Sequence, residues 1–135
     1  DKVAFVDLNT GQLKITEVSS GLVTAVISSP KDEKAIVYAY SNSPKTYLIS
    51  SEGQYNELPI NPYFGLIVWN PNGQEIIYPE LNKSTYEFKA YNISDNKIRN
   101  LEKYSSGEGN PSNLIVDNNY VDFILGQAIM GFKLE

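Results

Sequence analysis

The sequence predicts an all-β fold built from repeated antiparallel hairpins. Three segments run through an apolar-rich strand, a polar turn and a second strand ending on an apolar residue: 5–18, 47–59 and 90–102. Their turns carry Gly11, Gly53 and Asn96 at the same place, with spacings of 42 and 43 residues. A period of about 40–45 residues is typical of a β-propeller blade. We therefore expect antiparallel four-stranded blades of a partial β-propeller, about three blades in all.

The composition agrees with a fold made of strands. The chain of 135 residues has 41% hydrophobic and 20% charged residues, which suits a globular domain. Its 10 tyrosines favour half-buried strands, and its 9 glycines and 7 prolines fall mostly between apolar runs, as turn residues do. The helix content should therefore be close to zero.

The first half of the chain divides into short apolar runs separated by turn residues. Strands are predicted at 3–8, 13–18, 22–28, 35–40, 46–50 and 54–58. Turns are predicted at 9–12, 19–21, 29–33, 41–44 and 52–53. Within 35–40, Ile36, Tyr38 and Tyr40 occur at every second position, so they share one face as in a strand. This half therefore contains a hairpin followed by a complete four-stranded unit.

The second half repeats the same order of elements. Strands are predicted at 64–69, 75–78, 85–93, 97–101, 114–116, 120–125 and 128–134. Pro79 is expected to interrupt the second of these strands, because proline lacks the N–H that a sheet ladder uses. Residues 105–110 form a polar loop, and no fourth strand follows residue 134.

Two further landmarks support the repeat. Pro30 and Pro71 lie 41 residues apart, and Tyr38 and Tyr78 lie 40 apart. The approximate units are 1–20, 21–60, 61–103 and 104–135 within a single all-β domain, 1–135. Closed propellers usually contain about four or more blades. We therefore expect that further blades lie outside this sequence, or that copies of the chain cover each other's open edges. The start at Asp1, without Met, indicates a removed leader or a longer parent protein.

Charge and residue content exclude several classes of function. The net charge is −5, and Arg99 is the only arginine, so a nucleic-acid surface is not expected. No apolar run approaches the length of a spanning helix, so membrane insertion is not expected. The sequence has no Cys and no His, which removes the usual zinc sites and the common catalytic triads. We predict no catalytic residue, no metal site and no cofactor.

One repeat unit resembles a known family. Residues 68–101 resemble a TolB-type repeat, in which an apolar pair precedes a Pro-x-Gly turn and a strand containing tyrosine. The matching residues are Trp69, Pro71, Gly73, Ile76, Tyr78, Phe88 and Leu101. The preceding unit, 27–58, keeps Pro30 but has charged residues in place of the Asn-Gly turn. The last unit has 117–119 (DNN) instead of a Pro-x-Gly turn.

The resemblance implies a scaffold rather than an enzyme. TolB-type repeats occur in periplasmic TolB and in the propeller domains of prolyl-oligopeptidase-like enzymes, and they carry no catalytic residues of their own. We expect a non-enzymatic, extracytoplasmic binding or assembly module (periplasmic, secreted or at the cell surface). Its partner would be another protein, additional blades or copies of itself.

Three alternatives remain open. The chain could be a fragment of the propeller domain that gates a peptidase, or a self-assembling cell-surface or filament subunit. A β-sandwich also contains many short strands, although a sandwich does not explain the repeat period.

Candidate site residues are few. Tyrosine is enriched at interfaces, and Tyr55, Tyr63 and Tyr104 flank loops, so these three are the predicted interface residues. The sequons at Asn82 and Asn92 are candidate glycosylation sites. The turn that starts at Asp7 faintly resembles a calcium loop, but it has too few carboxylates and is better explained as a hairpin turn.

Overall fold

The computed structural model describes residues 1–18 and 21–135, and its regular structure consists almost entirely of strands. The strands, numbered in chain order, are β1 (Lys2–Val6), β2 (Leu13–Glu17), β3 (Leu22–Ser28), β4 (Lys34–Tyr40), β5 (Lys45–Ser50), β6 (Tyr55–Leu58), β7 (Val68–Trp69), β8 (Glu75–Asn82), β9 (Thr85–Asn92), β10 (Lys97–Ser105), β11 (Pro111–Asp117), β12 (Tyr120–Leu125) and β13 (Ala128–Lys133). Two 3₁₀ turns, Tyr63–Gly65 and Ser106–Glu108, are the helical elements of the described residues. The all-β prediction is therefore confirmed.

The strands form four antiparallel sheets in chain order. A two-stranded sheet, β1-β2, is followed by two four-stranded sheets, β3-β4-β5-β6 and β7-β8-β9-β10, and by a three-stranded sheet, β11-β12-β13. Each strand pairs with its neighbour in sequence, as the blades of a propeller require. The predicted blade pattern, with a hairpin first and an incomplete unit last, is confirmed within the described residues.

The chain divides into two compact units, 1–61 and 62–135. In the first unit, strand alternation directs one side of the β1-β2 hairpin into a core shared with β4 and β5. That core contains Val3, Val18, Ala35, Val37, Ala39, Tyr47 and Ile49. Buried Thr16 also donates its hydroxyl to the carbonyl of Ser50 at 3.2 Å, which ties the hairpin to the four-stranded sheet.

The second unit has a core rich in aromatic rings. Phe88 of the four-stranded sheet lies 4.5 Å from Phe123 of the last sheet, measured between ring centroids. Phe132 lies 5.3 Å from Phe88, and Tyr104 lies 5.1 Å from Phe123. Rings in tilted and edge-to-face contact hold two sheets of this unit face to face.

The repeated turn residues have a shared backbone conformation. Gly11, Gly53 and Asn96 connect β1 to β2, β5 to β6 and β9 to β10, with φ values of 71°, 84° and 58°. Positive φ is accessible to glycine at low cost and is tolerated by asparagine. The predicted equivalence of the three positions is confirmed. The predicted turn at 19–21 includes Ser19 and Ser20, which lie outside the described residues.

Pro79 does not interrupt its strand, so that prediction was wrong. β8 continues to Asn82, and Pro79 pairs opposite Phe88 of β9. The short β7 pairs only with Ile76 and Ile77, so the rest of β8 has a neighbouring strand on one side. A strand with one unpaired edge accommodates a residue without an N–H.

The prediction of a strand at 64–69 was also wrong in its first half. Phe64 and Gly65 have φ values of 47° and 70°, which belong to a tight turn and not to a strand. Only Val68–Trp69 pairs with β8. The apolar run predicts a strand, because its periodicity carries no information about positive φ in a residue such as Phe64.

Candidate interaction surfaces

The outer side of the β1-β2 hairpin is apolar and uncovered. Val6 pairs opposite Leu13 and Ala4 opposite Ile15, so these four side chains share one side of the sheet. Val6, Leu13 and Ile15 are 55%, 57% and 54% exposed, whereas Val3 on the other side is buried. We call Ala4, Val6, Leu13 and Ile15 the first face.

The outer side of the last sheet is similar. Ile124 pairs opposite Ile129, and Tyr120 and Ile115 lie on the same side of the sheet. Ile129 is 86% exposed and Ile115 57%, while Val121, Phe123 and Leu125 point the other way into the core. We call Ile115, Tyr120, Ile124 and Ile129 the last face.

The complete sheets show how the first and last sheets differ from them. In β4, Ile36, Val37 and Tyr38 are all buried, so this strand is covered on both sides. In β8, Ile76, Ile77 and Tyr78 are fully buried in the same way. The first and last sheets are covered on one side only, although they are apolar on both.

The last sheet also has an unpaired edge. Within the described residues, β13 pairs with β12 and with no other strand, whereas the two complete sheets contain a fourth strand. A fourth strand, from a continuation of the chain or from another chain, would extend this sheet through backbone hydrogen bonds along β13.

The first unit contains a polar cleft of about 480 Å³ beside the β1-β2 and β3-β4 turns. Its charged groups pair with each other. Lys14 binds Glu52 at 3.0 Å, Lys34 binds Asp32 at 3.3 Å, and Ser51 donates its hydroxyl to Glu33. The hydrogen bond to Glu52 raises the pKa of Lys14, which keeps the ammonium charged. Because the ionic groups of the cleft satisfy one another, no ligand is assigned to it.

The turn predicted to resemble a calcium loop is a hydrogen-bonded hairpin turn. Asp7 Oδ1 accepts the backbone N–H groups of Asn9 at 2.8 Å and Thr10 at 3.2 Å. These bonds lower the pKa of Asp7, since they favour its ionised form. No group of three or more acidic residues able to hold a metal ion occurs among the described residues.

The three predicted interface tyrosines are half-buried rather than exposed. Tyr55 stacks on Tyr47 in the first unit, with centroids 4.5 Å apart. In the second unit, Tyr63 meets Tyr86 edge-on at 5.1 Å, and Tyr104 packs against the core phenylalanines. These rings contribute to packing, and their role in an interface stays a prediction.

The two sequon asparagines differ in accessibility. Asn82 is exposed at the end of β8 and donates its amide to Glu87 at 3.3 Å. Asn92 is half-buried, and its Oδ1 accepts the N–H of Ser94 at 2.8 Å. If the chain is glycosylated, Asn82 is the more accessible acceptor, and a mass shift removed by Asn82→Gln is the test.

Two kinds of buried polar group occur among the described residues, those that link strands and those without a hydrogen-bond partner. Arg99 binds Glu75 through two hydrogen bonds of 2.9 and 3.1 Å. Among the described residues, the hydroxyls of Thr46 and Tyr78 are buried without a hydrogen-bond partner. Burial raises the pKa of Tyr78, so this hydroxyl stays neutral.

No helix among the described residues is long and apolar enough to cross a membrane.

Both faces were missed by reasoning from the sequence. Their residues alternate with core residues, for example Tyr120 and Ile124 with Val121 and Phe123. A strand apolar at successive positions is the signal for burial on both sides. The sequence does contain apolar residues at successive strand positions. This pattern does not indicate which side of the sheet has no other sheet packed against it.

Comparison with known proteins supports the fold. The crystal structure of TolB from Acinetobacter baumannii superposes on 98% of this chain with a TM-score of 0.75 and 15% identity. The chain covers 35% of that protein, so it spans about a third of its length. No family model and no curated protein matches the sequence. At this identity the likeness concerns the fold alone, and the chain has the fold of TolB-like β-propeller blades.

Proposed function

We propose that the chain is a non-enzymatic binding module that acts outside the cytoplasm and contacts a protein partner through its uncovered sheet faces. The observation that carries the proposal is the last face, where Ile129 and Ile115 are 86% and 57% exposed. Contiguous exposed apolar residues of this kind mark interaction sites in soluble proteins.

The chemistry of the last face favours a protein over other partners. Isoleucine and tyrosine side chains supply apolar contact area, while Asp117, Asp122 and Lys133 lie among or beside them. A net charge of −5 disfavours nucleic acid and anionic lipid. A patch of isoleucine and tyrosine with interspersed charged residues fits a protein–protein contact, which combines apolar and polar groups.

The location outside the cytoplasm rests on the resemblance to TolB-type repeats. Protease treatment of intact cells, with an antibody to the chain as readout, tests it. Degradation of the chain while a cytoplasmic marker survives is expected if the chain is displayed on the surface. For a periplasmic chain, degradation is expected only after the outer membrane is permeabilised. Survival of the chain in both treatments would contradict the proposal.

Site-specific photo-crosslinking in the native cell tests the binding function. A photoreactive phenylalanine analogue is placed at position 129, at position 15 and, as a control, at position 98. Ile98 is also exposed, at 44%, but it lies in β10 outside both faces. We expect a discrete crosslinked protein, identified by mass spectrometry, from position 129 or 15 and none from position 98. Equal labelling from all three positions, or none, would contradict the proposal.

A further inference from the structure

We infer that Asn72 is a site of spontaneous deamidation and that opening of the turn between β7 and β8, residues 70–74, sets the rate. Asn72 is followed by Gly73, and no other asparagine in the sequence precedes a glycine. Glycine has no side chain to shield its backbone nitrogen, so this nitrogen approaches the preceding side-chain amide more easily than that of any other residue. The modification is independent of the proposed binding function.

The reaction needs water and no other reactant. The backbone nitrogen of Gly73 attacks Cγ of Asn72 and gives up its proton to a base in the solvent. The Cγ–Nδ2 bond breaks, and the Nδ2 group takes a proton from water and leaves as ammonia. The cyclic succinimide that remains is hydrolysed by one water at either carbonyl, which gives aspartate or isoaspartate at position 72.

The folded turn holds both reacting groups in hydrogen bonds. The N–H of Gly73 donates to the carbonyl of Asn70 at 2.8 Å, and Gly73 is buried. Oδ1 of Asn72 accepts the N–H of Gln74 at 2.8 Å. The N–H of Asn72 donates to Oδ1 of Asn70 at 3.3 Å. A buried, hydrogen-bonded N–H keeps its proton until the bond opens, so the closed turn protects the Gly73 nitrogen from reacting.

The strand before the turn is short, which favours local opening. β7 contains only Val68 and Trp69, which pair with Ile77 and Ile76. The side chain of Asn72 is exposed, so water reaches it as soon as the turn opens. Segments held by few backbone hydrogen bonds open at a lower free energy than the unit as a whole. The deamidation rate therefore reports the opening of this one turn.

The two products differ in how they fit the turn. Aspartate keeps an oxygen in the place of Oδ1, so the bond from the N–H of Gln74 is retained and gains a charged acceptor. Isoaspartate carries the backbone through Cγ and so lengthens the chain by one carbon. That change displaces the N–H of Gly73 from the carbonyl of Asn70. We expect the turn to accommodate aspartate and to be loosened by isoaspartate.

Peptide mapping by mass spectrometry, during incubation at mildly alkaline pH, tests the inference. It measures the converted fraction at Asn72 over time, with aspartate and isoaspartate peptides separated by chromatography. We expect conversion in the folded chain at a rate about tenfold or more below that in guanidinium chloride, where the turn is lost. Asn113, which is exposed and followed by Leu114, is the internal reference and should keep its amide.

Asn70→Ala tests the control by the turn. It removes the side-chain bonds to the N–H of Asn72 and to Glu75, and it leaves the reacting pair unaltered. The rate in the folded chain should rise about fivefold, the factor that one such hydrogen bond is worth. Asn96→Ala is the matched control, because it weakens the turn between β9 and β10 in the same unit and should leave the rate at Asn72 unchanged. The comparison of folded and denatured protein uses the unaltered chain, so it decides the matter if Asn70→Ala fails to fold.

Three results would overturn the inference. The first is no conversion at Asn72 in the folded chain, and the second is an equal rate in the folded and the denatured chain. The third is a rate in Asn70→Ala no higher than in Asn96→Ala, which would assign the reaction to unfolding of the whole unit.

Discussion

Arg99 connects three strands of the second unit through its guanidinium group. Two hydrogen bonds, of 2.9 and 3.1 Å, join it to Glu75 of β8, and a third of 2.8 Å joins it to the carbonyl of Leu134 after β13. Glu75 is 9% exposed, and the bond to Arg99 lowers its pKa below the ordinary value of 4.5. A planar, bidentate pair of this kind is specific to arginine.

Replacing Arg99 with leucine should lower the free energy of unfolding by about 2 kcal/mol, because Glu75 then keeps a charge that is shielded from water. This value is below that for fully buried pairs because the Arg99 side chain is 39% exposed. Urea denaturation at neutral pH measures the change. Lys45→Gln, which breaks the exposed pair with Glu57, is the control, with an expected loss below about 0.5 kcal/mol.

The effect of Arg99 should depend on pH. The folded-state pKa of Glu75 is depressed, so its stabilising contribution is present above pH 4.5 and is lost as pH falls through the folded pKa. The difference between the unaltered chain and Arg99→Leu should therefore shrink in acid. A difference that stays constant as the pH is lowered below 4.5, or a loss equal to that of the control, would contradict this role.

Tyr86 should make stability sensitive to alkaline pH. Burial, with a smaller effect of the neighbouring Tyr63 hydroxyl, raises the pKa of Tyr86 to about 12 from 10.0. Stability from its neutral form is present below pH 10 and falls as pH rises towards 12. Tyr86→Phe removes the 2.7 Å bond to Asn110 and should cost about 1 kcal/mol at neutral pH. It should also flatten the alkaline loss, as measured by urea denaturation at several pH values.

The control for Tyr86→Phe is Tyr40→Phe, which removes a hydroxyl from a residue that is 50% exposed and lies outside both faces. Its free energy of unfolding at neutral pH should change by less than about 0.5 kcal/mol. An unchanged alkaline slope in Tyr86→Phe would contradict the proposed origin of the pH dependence.

At the scale of elements, the turns with positive φ fix the register of the repeated hairpins. Asn96 has a φ of 58°, and its side chain accepts a 2.5 Å hydrogen bond from the hydroxyl of Tyr91. Asn96→Gly keeps the backbone conformation and loses the bond, whereas Asn96→Ala loses the bond and adds backbone strain. We expect the alanine variant to be less stable than the glycine variant by about 1 kcal/mol in thermal or chemical denaturation.

Gly53 gives a control free of side-chain contacts. Its φ is 84°, and a Cβ atom added there meets nothing within 4 Å. Gly53→Ala should therefore cost about 1 kcal/mol through the backbone alone, and Gly53→Asn less. Equal stabilities for the alanine and asparagine variants would contradict the argument that φ, and not packing, selects these residues.

Most strands could be predicted because their signals are local. Alternation at 35–40 and the residues Gly11, Gly53 and Asn96 depend on the period of a strand and on positive φ, both of which are properties of a few neighbouring residues. The predictions at Pro79 and Phe64 were wrong for different reasons. Whether a strand continues through Pro79 depends on which strand lies alongside it. The apolar run 64–69 begins with a turn in which Phe64 itself takes a positive φ, which its residue type does not indicate. The first and last faces were missed because coverage is set by packing and not by the strand's own sequence.

At the scale of the whole molecule, we propose that the apolar sheet faces carry the binding function. Residues Ile36–Tyr38 of β4 and Ile76–Tyr78 of β8 are buried on both sides of their strands, whereas one side of the first and last sheets is exposed. The exposed aliphatic side chains there gain about 25 cal/mol per Å² when they leave water, so association is favoured wherever a matching face is available.

Photo-crosslinking in the native cell tests the claim most directly, with the photoreactive phenylalanine analogue at position 115 or 129 of the last face and, as the control, at position 98. A discrete crosslinked protein from positions 115 and 129 and none from position 98 is expected, because Ile98 is exposed but lies outside both faces. Equal labelling from all three positions, or no labelling at all, would contradict the claim.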